Sequence, residues 1–130
     1  MFLSVFFDCF VLLFTFFFAR FQIAINGDKW TIFRRYSAFL KLNQFVKQRY
    51  SDRIEVPYFP PKTWKNMDEK VIENRRRYLE NYIQQVIDQC KGINNSPLNY
   101  RAINLPRMNR QCFYNFNTFF RISPMSDKNV

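Results

Sequence analysis

The stretch WTIFRRYSAF, residues 30–39, changes character at its middle, and that change decides the fold. Trp30 to Phe33 is rich in β-formers and reads as a strand. Ser37 is an N-cap residue by type, with a hydroxyl able to accept an orphan backbone N–H where a helix opens. Phe39, Leu42, Phe45 and Val46 then follow at helical spacing through SAFLKLNQFVKQRY. Upstream, FQIAI sets Phe21, Ile23 and Ile25 on one face of a second strand. Asn26-Gly27 lies between the strands as a type I′ turn, in which both central positions need φ > 0. A hairpin that runs out into Arg34-Arg35-Tyr36 and then straight into a helix predicts an α+β domain.

The helix should end near Tyr50-Ser51-Asp52. The next stretch, VPYFPPKTWKN over 56–66, is an exposed loop, because Pro57, Pro60 and Pro61 lack donors and fix φ. Asn66 and Glu69 have capping-box spacing and open a second helix from Asp68 to about Cys90. Val71, Ile72, Tyr78, Leu79, Tyr82, Ile83, Val86 and Ile87 trace its apolar stripe, and Gly92 stops it. Beyond it the chain is polar-aromatic and weakly periodic, which reads as loops with one short helix, or as a partly disordered tail.

Residues 1–19, MFLSVFFDCFVLLFTFFFA, differ from the rest: eight are Phe and Asp8 is the one charge. The segment is marginal in length for a spanning helix, which needs about 20 apolar residues. Asp8 would cost about 2.5–3.5 kcal/mol at the bilayer centre. Two readings stand side by side. One is a membrane anchor, with Arg20 holding the remainder in the cytosol; the other is an incorrect start that replaces a native first strand.

Composition narrows the function. Twenty Lys and Arg against ten Asp and Glu give a net charge of +10, which favours an anionic partner: nucleic acid, a membrane surface or an acidic protein. Cys9, Cys90 and Cys112 are far apart and in no metal-ligand spacing, as free thiols of a reducing compartment would be. The chain has no His, hence neither the commonest general base nor the commonest metal ligand. No catalytic motif is present, so an enzyme is not expected, and no cofactor or metal is implied.

Certain basic residues do not fit a solvated face. On a helical wheel Arg75 lies within roughly 20° of the stripe's centre, between Val71 and Leu79. A guanidinium there must snorkel, pair with a carboxylate, or meet an anion from outside. Arg34 and Arg35 point to opposite faces of a strand, so one of them lines any given pocket. Arg35 is beside the incoming helix N-terminus and has the bidentate geometry phosphate prefers. Tyr36 can lay its ring against a sugar or inositol. Lys62 follows Pro-Pro, and Trp64 sits between Lys62 and Lys65, which suits a bilayer headgroup region. PYFPPK also reads as PxxPxK, a polyproline ligand for an SH3-type groove.

Taken in order, WTIFRRYSAF, VPYFPPK and VIENRRRYLENYI resemble the phox-homology (PX) domain over residues 20–98, most closely the PX tails of kinesin-like motor proteins and of sorting nexins. The resemblance implies a three-stranded antiparallel sheet packed on a helical subdomain. The family's first strand would precede Phe21, where residues 1–19 are a poor substitute, so that strand is expected to be missing and 99–130 to form a C-terminal extension. By resemblance, Arg35 holds the 3-phosphate of a phosphoinositide, Tyr36 packs under the inositol ring and Ser37 helps at the phosphate. Lys62 reaches the 1-phosphate, Arg75 the ring hydroxyls, and Trp64 enters the membrane. The implied role is a peripheral module on endosomal membranes that reads phosphatidylinositol 3-phosphate and does not bind nucleic acid. Two alternatives stay open: a protein-interaction module using the 57–62 loop, and an integral membrane protein anchored by its N-terminus.

Overall fold

The computed structural model describes residues 3–13, 16–25, 27–62, 69–99 and 109–122. Strands β1 (Leu3–Leu13), β2 (Phe16–Ile25) and β3 (Asp28–Arg34) form one antiparallel sheet in the order β1-β2-β3. The β2–β3 hairpin closes with Ile25 opposite Asp28 across Gly27, whose φ of 88° is the left-handed conformation that glycine tolerates. Asn26, the other half of the expected turn, lies outside the described residues.

The first strand is present, contrary to expectation. Residues 3–13 supply it, with Leu3 opposite Ile25 and Val5 opposite Ile23; Ile23 and Ile25 are fully buried. A bulge between Phe7 and Cys9 shifts the register across Asp8. The spanning-helix reading of 1–19 is corrected by the same pairing. Apolar residues crowd both faces of this run, so it lacks the period-2 alternation that marks a strand in sequence. No helix among the described residues is long and apolar enough to cross a membrane.

Helix α1 spans Tyr36–Tyr50. Its N-cap is Arg35, extended at φ −82° and ψ 164°, and not Ser37, which lies exposed within the first turn. The Arg35 carbonyl accepts from the Ala38 and Phe39 N–H groups at 3.0 and 3.4 Å, so the helix starts directly off the strand without a side-chain cap. Helix α2 spans Glu69–Cys90 and buries Arg75, Leu79, Tyr82, Ile83, Val86, Ile87 and Cys90. Tyr78, expected on that stripe, is instead 50% exposed. The Tyr82 hydroxyl donates to Asn43 Oδ1 at 2.8 Å, joining α2 to α1 inside the core and satisfying two buried polar groups at once.

After α1 the chain turns back along α2. There the Glu55 N–H donates to Gln89 Oε1 at 2.8 Å, and Gln89 Nε2 donates to the Glu55 carbonyl at 2.6 Å. One side-chain amide thus reproduces a rung of a β-ladder and fixes where the proline loop begins.

Among its described residues the C-terminal region contains a short helix, α3 (Asn109–Phe116), followed by a 3₁₀ turn at Thr118–Phe120 that Asn117 caps through the Phe119 N–H. Its residues are not peripheral. Cys112, Phe113, Phe116, Phe119 and Phe120 belong to the same buried cluster as Ile23, Ile32, Phe39 and Leu79. Trp30 Nε1 donates to the Phe120 carbonyl at 2.8 Å, and Arg110 pairs with Asp28, pinning the β2–β3 hairpin to α3. Cys90 and Cys112 are buried free thiols.

Candidate functional site

The β3–α1 junction separates two adjacent arginines by the alternation of the strand. Arg34 faces inward and is 5% exposed. Its Nε donates to the Phe119 carbonyl at 2.8 Å, and its terminal nitrogens donate to the carbonyls of Phe33 and Arg121. Its guanidinium carbon also lies 5.6 Å from the centre of the Phe119 ring. Arg34 therefore clamps the C-terminal 3₁₀ turn against the sheet. Arg35 is half-buried and is the N-cap of α1.

Tyr36 connects this junction to two distant parts of the chain. Its hydroxyl donates to the Pro60 carbonyl at 2.7 Å, which ties the proline loop to the start of α1. Its ring packs at 5.5 Å on Phe59, which in turn meets Tyr82 edge-on at 5.1 Å. Over the same ring lies Arg75, its guanidinium carbon 5.1 Å from the ring centre. Arg75 is 8% exposed, so the stripe position read from sequence is a buried cation against an aromatic face.

The electrostatics follow from that burial. Desolvation lowers the Arg75 pKa, and the nearby Tyr36 hydroxyl partly restores it. Burial raises the Tyr36 pKa, opposed by Arg75 and reinforced by Tyr58, so Tyr36 remains a phenol able to donate to Pro60. A buried guanidinium on a π face gains more from an incoming anion than an exposed one does, because water competes less.

Tyr36, the proline loop and Arg75, distant in sequence, thus converge where β3 meets α1, with Arg35 next to Tyr36 in the chain. Lys62 lies exposed two residues beyond the tethered Pro60, and Ser37 is exposed on α1. Trp64 lies outside the described residues. Pro57 and Pro60, the two prolines of the PxxP pattern, are buried, and among the described residues of that loop Tyr58, Pro61 and Lys62 are exposed. An SH3-type groove reads both prolines of the pattern, so the folded loop does not present the ligand its sequence suggested. Phe59 and the Pro60 carbonyl were not foreseen as part of the site. Their signal, two apolar positions inside a proline run, is indistinguishable from an ordinary loop.

A small three-stranded antiparallel sheet packed with helices is the arrangement of the PX domain. Residues 24–101 match the profile of that family, and the chain belongs to it. PX domains are in general non-enzymatic, phosphoinositide-binding modules that target membranes. The chain is 30% identical over 100 residues to the kinesin-like protein KIF16B of Homo sapiens, covering 77% of this chain and 8% of that protein. It is 37% identical over 68 residues to human sorting nexin-22, covering 52% of this chain and 33% of that protein. It therefore spans only a small part of the length of these relatives. Among solved structures, a designed CISK-PX domain superposes with a TM-score of 0.60 at 27% identity, covering 87% of this chain and 96% of the other.

Proposed function

We propose that this chain docks on endosomal membranes by gripping phosphatidylinositol 3-phosphate. In this reading Arg35 forks onto the 3-phosphate, with Ser37 beside it at the start of α1. Tyr36 forms the floor under the inositol ring, Arg75 reaches the ring hydroxyls, and Lys62 meets the 1-phosphate. Trp64 enters the headgroup region of the bilayer. The protein acts peripherally and needs no cofactor. The observation that carries the reading is the placement of Arg75 over Tyr36 while Tyr36 holds Pro60, which brings three separate sequence motifs to one place.

The test is a lysine swap. Arg35→Lys keeps the charge and loses the fork, so affinity for vesicles carrying phosphatidylinositol 3-phosphate falls on the order of tenfold or more. Arg77→Lys, on the exposed face of α2, leaves binding unchanged, because general attraction to an anionic surface does not distinguish the two cations. The pocket is refuted if both variants bind like the parent, or if the parent pellets equally on vesicles with unphosphorylated phosphatidylinositol.

A further inference from the structure

The cation of the pocket and the hydrogen bond of the core belong to one arrangement. Tyr36 and Asn43 stand seven residues apart on α1, and Arg75 and Tyr82 stand seven apart on α2. Seven residues make about two turns, or about 10.5 Å along the axis, so each pair shares one side of its helix. The two helices therefore meet at two rungs of equal spacing. At the pocket rung, Arg75 lies over the Tyr36 ring. At the core rung, the Tyr82 hydroxyl donates to Asn43 Oδ1 at 2.8 Å, with Tyr82 fully buried and Asn43 nearly so.

Phe59, on the proline loop, touches one ring of each rung. Its centroid lies 5.1 Å from that of Tyr82, nearly edge-on at 78°, and 5.5 Å from that of Tyr36, tilted at 43°. Its neighbour Pro60 accepts the Tyr36 hydroxyl, so two consecutive loop residues hold the same phenol, one by a ring and the other by a carbonyl. A side chain that only filled a gap would need volume alone. Phe59 also has a fixed reference, because the Tyr82 ring on which it rests is pinned by Asn43. The position of the core is thereby passed to Tyr36.

We infer that Phe59 is a positioning residue of the headgroup pocket: it sets the tilt of the Tyr36 ring and, through that ring, the height at which Arg75 is offered to the inositol. This inference rests on the headgroup reading above. Binding groups have to be held within about 0.5 Å of their productive places, and a flat ring wedged between two others restrains tilt in a way that a branched aliphatic chain of similar bulk does not. Phe59 touches no part of the ligand in this arrangement and acts through Tyr36.

Phe59→Leu in the full chain tests this, with Phe113→Leu as its control. Phe113 is a fully buried ring of the same core that packs on Trp30 and Phe120. The probe is a water-soluble short-chain phosphatidylinositol 3-phosphate, titrated calorimetrically well below the melting temperature of each variant. Phe59→Leu should bind it about five- to tenfold more weakly, and Phe113→Leu should bind it as the parent does despite an equal or larger thermal loss. In proton–nitrogen spectra the Arg75 Nε–H, shifted by the ring beneath it, should move in Phe59→Leu. The Arg34 Nε–H, held by the Phe119 carbonyl, should stay in place. Parent-like binding by Phe59→Leu overturns the inference and leaves the pocket standing, as does an equal loss in Phe113→Leu or an unmoved Arg75 resonance. A parent that ignores the soluble headgroup refutes the pocket, and the positioning role falls with it. Should Phe59→Leu fail to fold, the parent supplies the readout. Adding the soluble headgroup should shift the Phe59 ring protons and leave those of Phe113 unchanged, and unmoved Phe59 protons overturn the inference.

Discussion

The Arg75 guanidinium carbon sits 5.1 Å from the centre of the Tyr36 ring, and the hydroxyl of that ring is held by the Pro60 carbonyl. One side chain therefore sets the height of a buried cation on one side and the position of a loop on the other. Disturbing Tyr36 should affect both, and the two effects can be separated by chemistry.

Tyr36→Phe keeps the face under Arg75 and removes the bond to Pro60. It should cost about 1 kcal/mol of stability and weaken headgroup binding only a few-fold, since the loop loses one tether. Tyr36→Ala removes the face as well and should lose headgroup binding far more severely. Calorimetric titration with a soluble headgroup, paired with thermal melts, distinguishes them. Equal binding losses for the two variants would show that the ring face contributes nothing.

Arg34 and Arg35 should dissociate stability from binding. Arg34→Lys breaks a fork that serves carbonyls of Phe33, Phe119 and Arg121, so it should destabilise the fold by about 2 kcal/mol or more. Vesicle affinity of the folded fraction should hold. Arg35→Lys should do the reverse, with a small change in melting temperature and a large change in binding.

Stability should decline on the alkaline side. Burial pushes the Cys90 thiol from its ordinary 9.0 up to about 11, against an opposing hydrogen bond with Ser96, and burial raises the Tyr82 phenol in the same direction. The folded state thus keeps protons that the unfolded chain releases first. The contribution is fully present below about pH 9 and is lost as pH rises through 11. Urea melts across that window should show the midpoint falling, and Cys90→Ala should flatten part of the slope. A midpoint that rose with pH would contradict the buried, protonated thiol.

Trp64 carries a prediction from its flanks. With Lys62 and Lys65 on either side, packing it inward would draw two charges toward the core. Trp64→Ala should weaken vesicle binding and barely move the melting temperature; a large thermal loss would place the indole in the core instead.

Where the sequence was legible, local chemistry and tertiary packing agreed. Gly27 in the hairpin turn rests on its tolerance of a positive φ, and the α2 stripe through Leu79, Ile83 and Val86 on a period of 3.6 residues. Legibility failed where a contact outweighed a local preference. Ser37 is the better cap by type, yet the strand delivers an extended Arg35 whose carbonyl closes the first turn. Residues 3–13 carry apolar side chains at nearly every position, so neither period is visible, and only pairing with β2 defines the strand. Residues 109–120 are too short to show an amphipathic face, and their place in the core depends on Trp30 and Arg34, some 85 to 90 residues away. Pro57 and Pro60 looked like a displayed ligand because a sequence cannot show which face of a proline run is turned inward.

The rung between Gln89 and Glu55 has a consequence in entropy. Together with the bond from Tyr36 to Pro60, it fastens the proline loop at two points only five residues apart. Ordering a loop costs on the order of 1–2 kcal/mol of backbone freedom per residue. Here that cost falls within folding itself, between Glu55 and Pro60, before any ligand arrives. A headgroup meeting this site does not have to freeze that part of the loop, so more of each contact it makes remains as affinity.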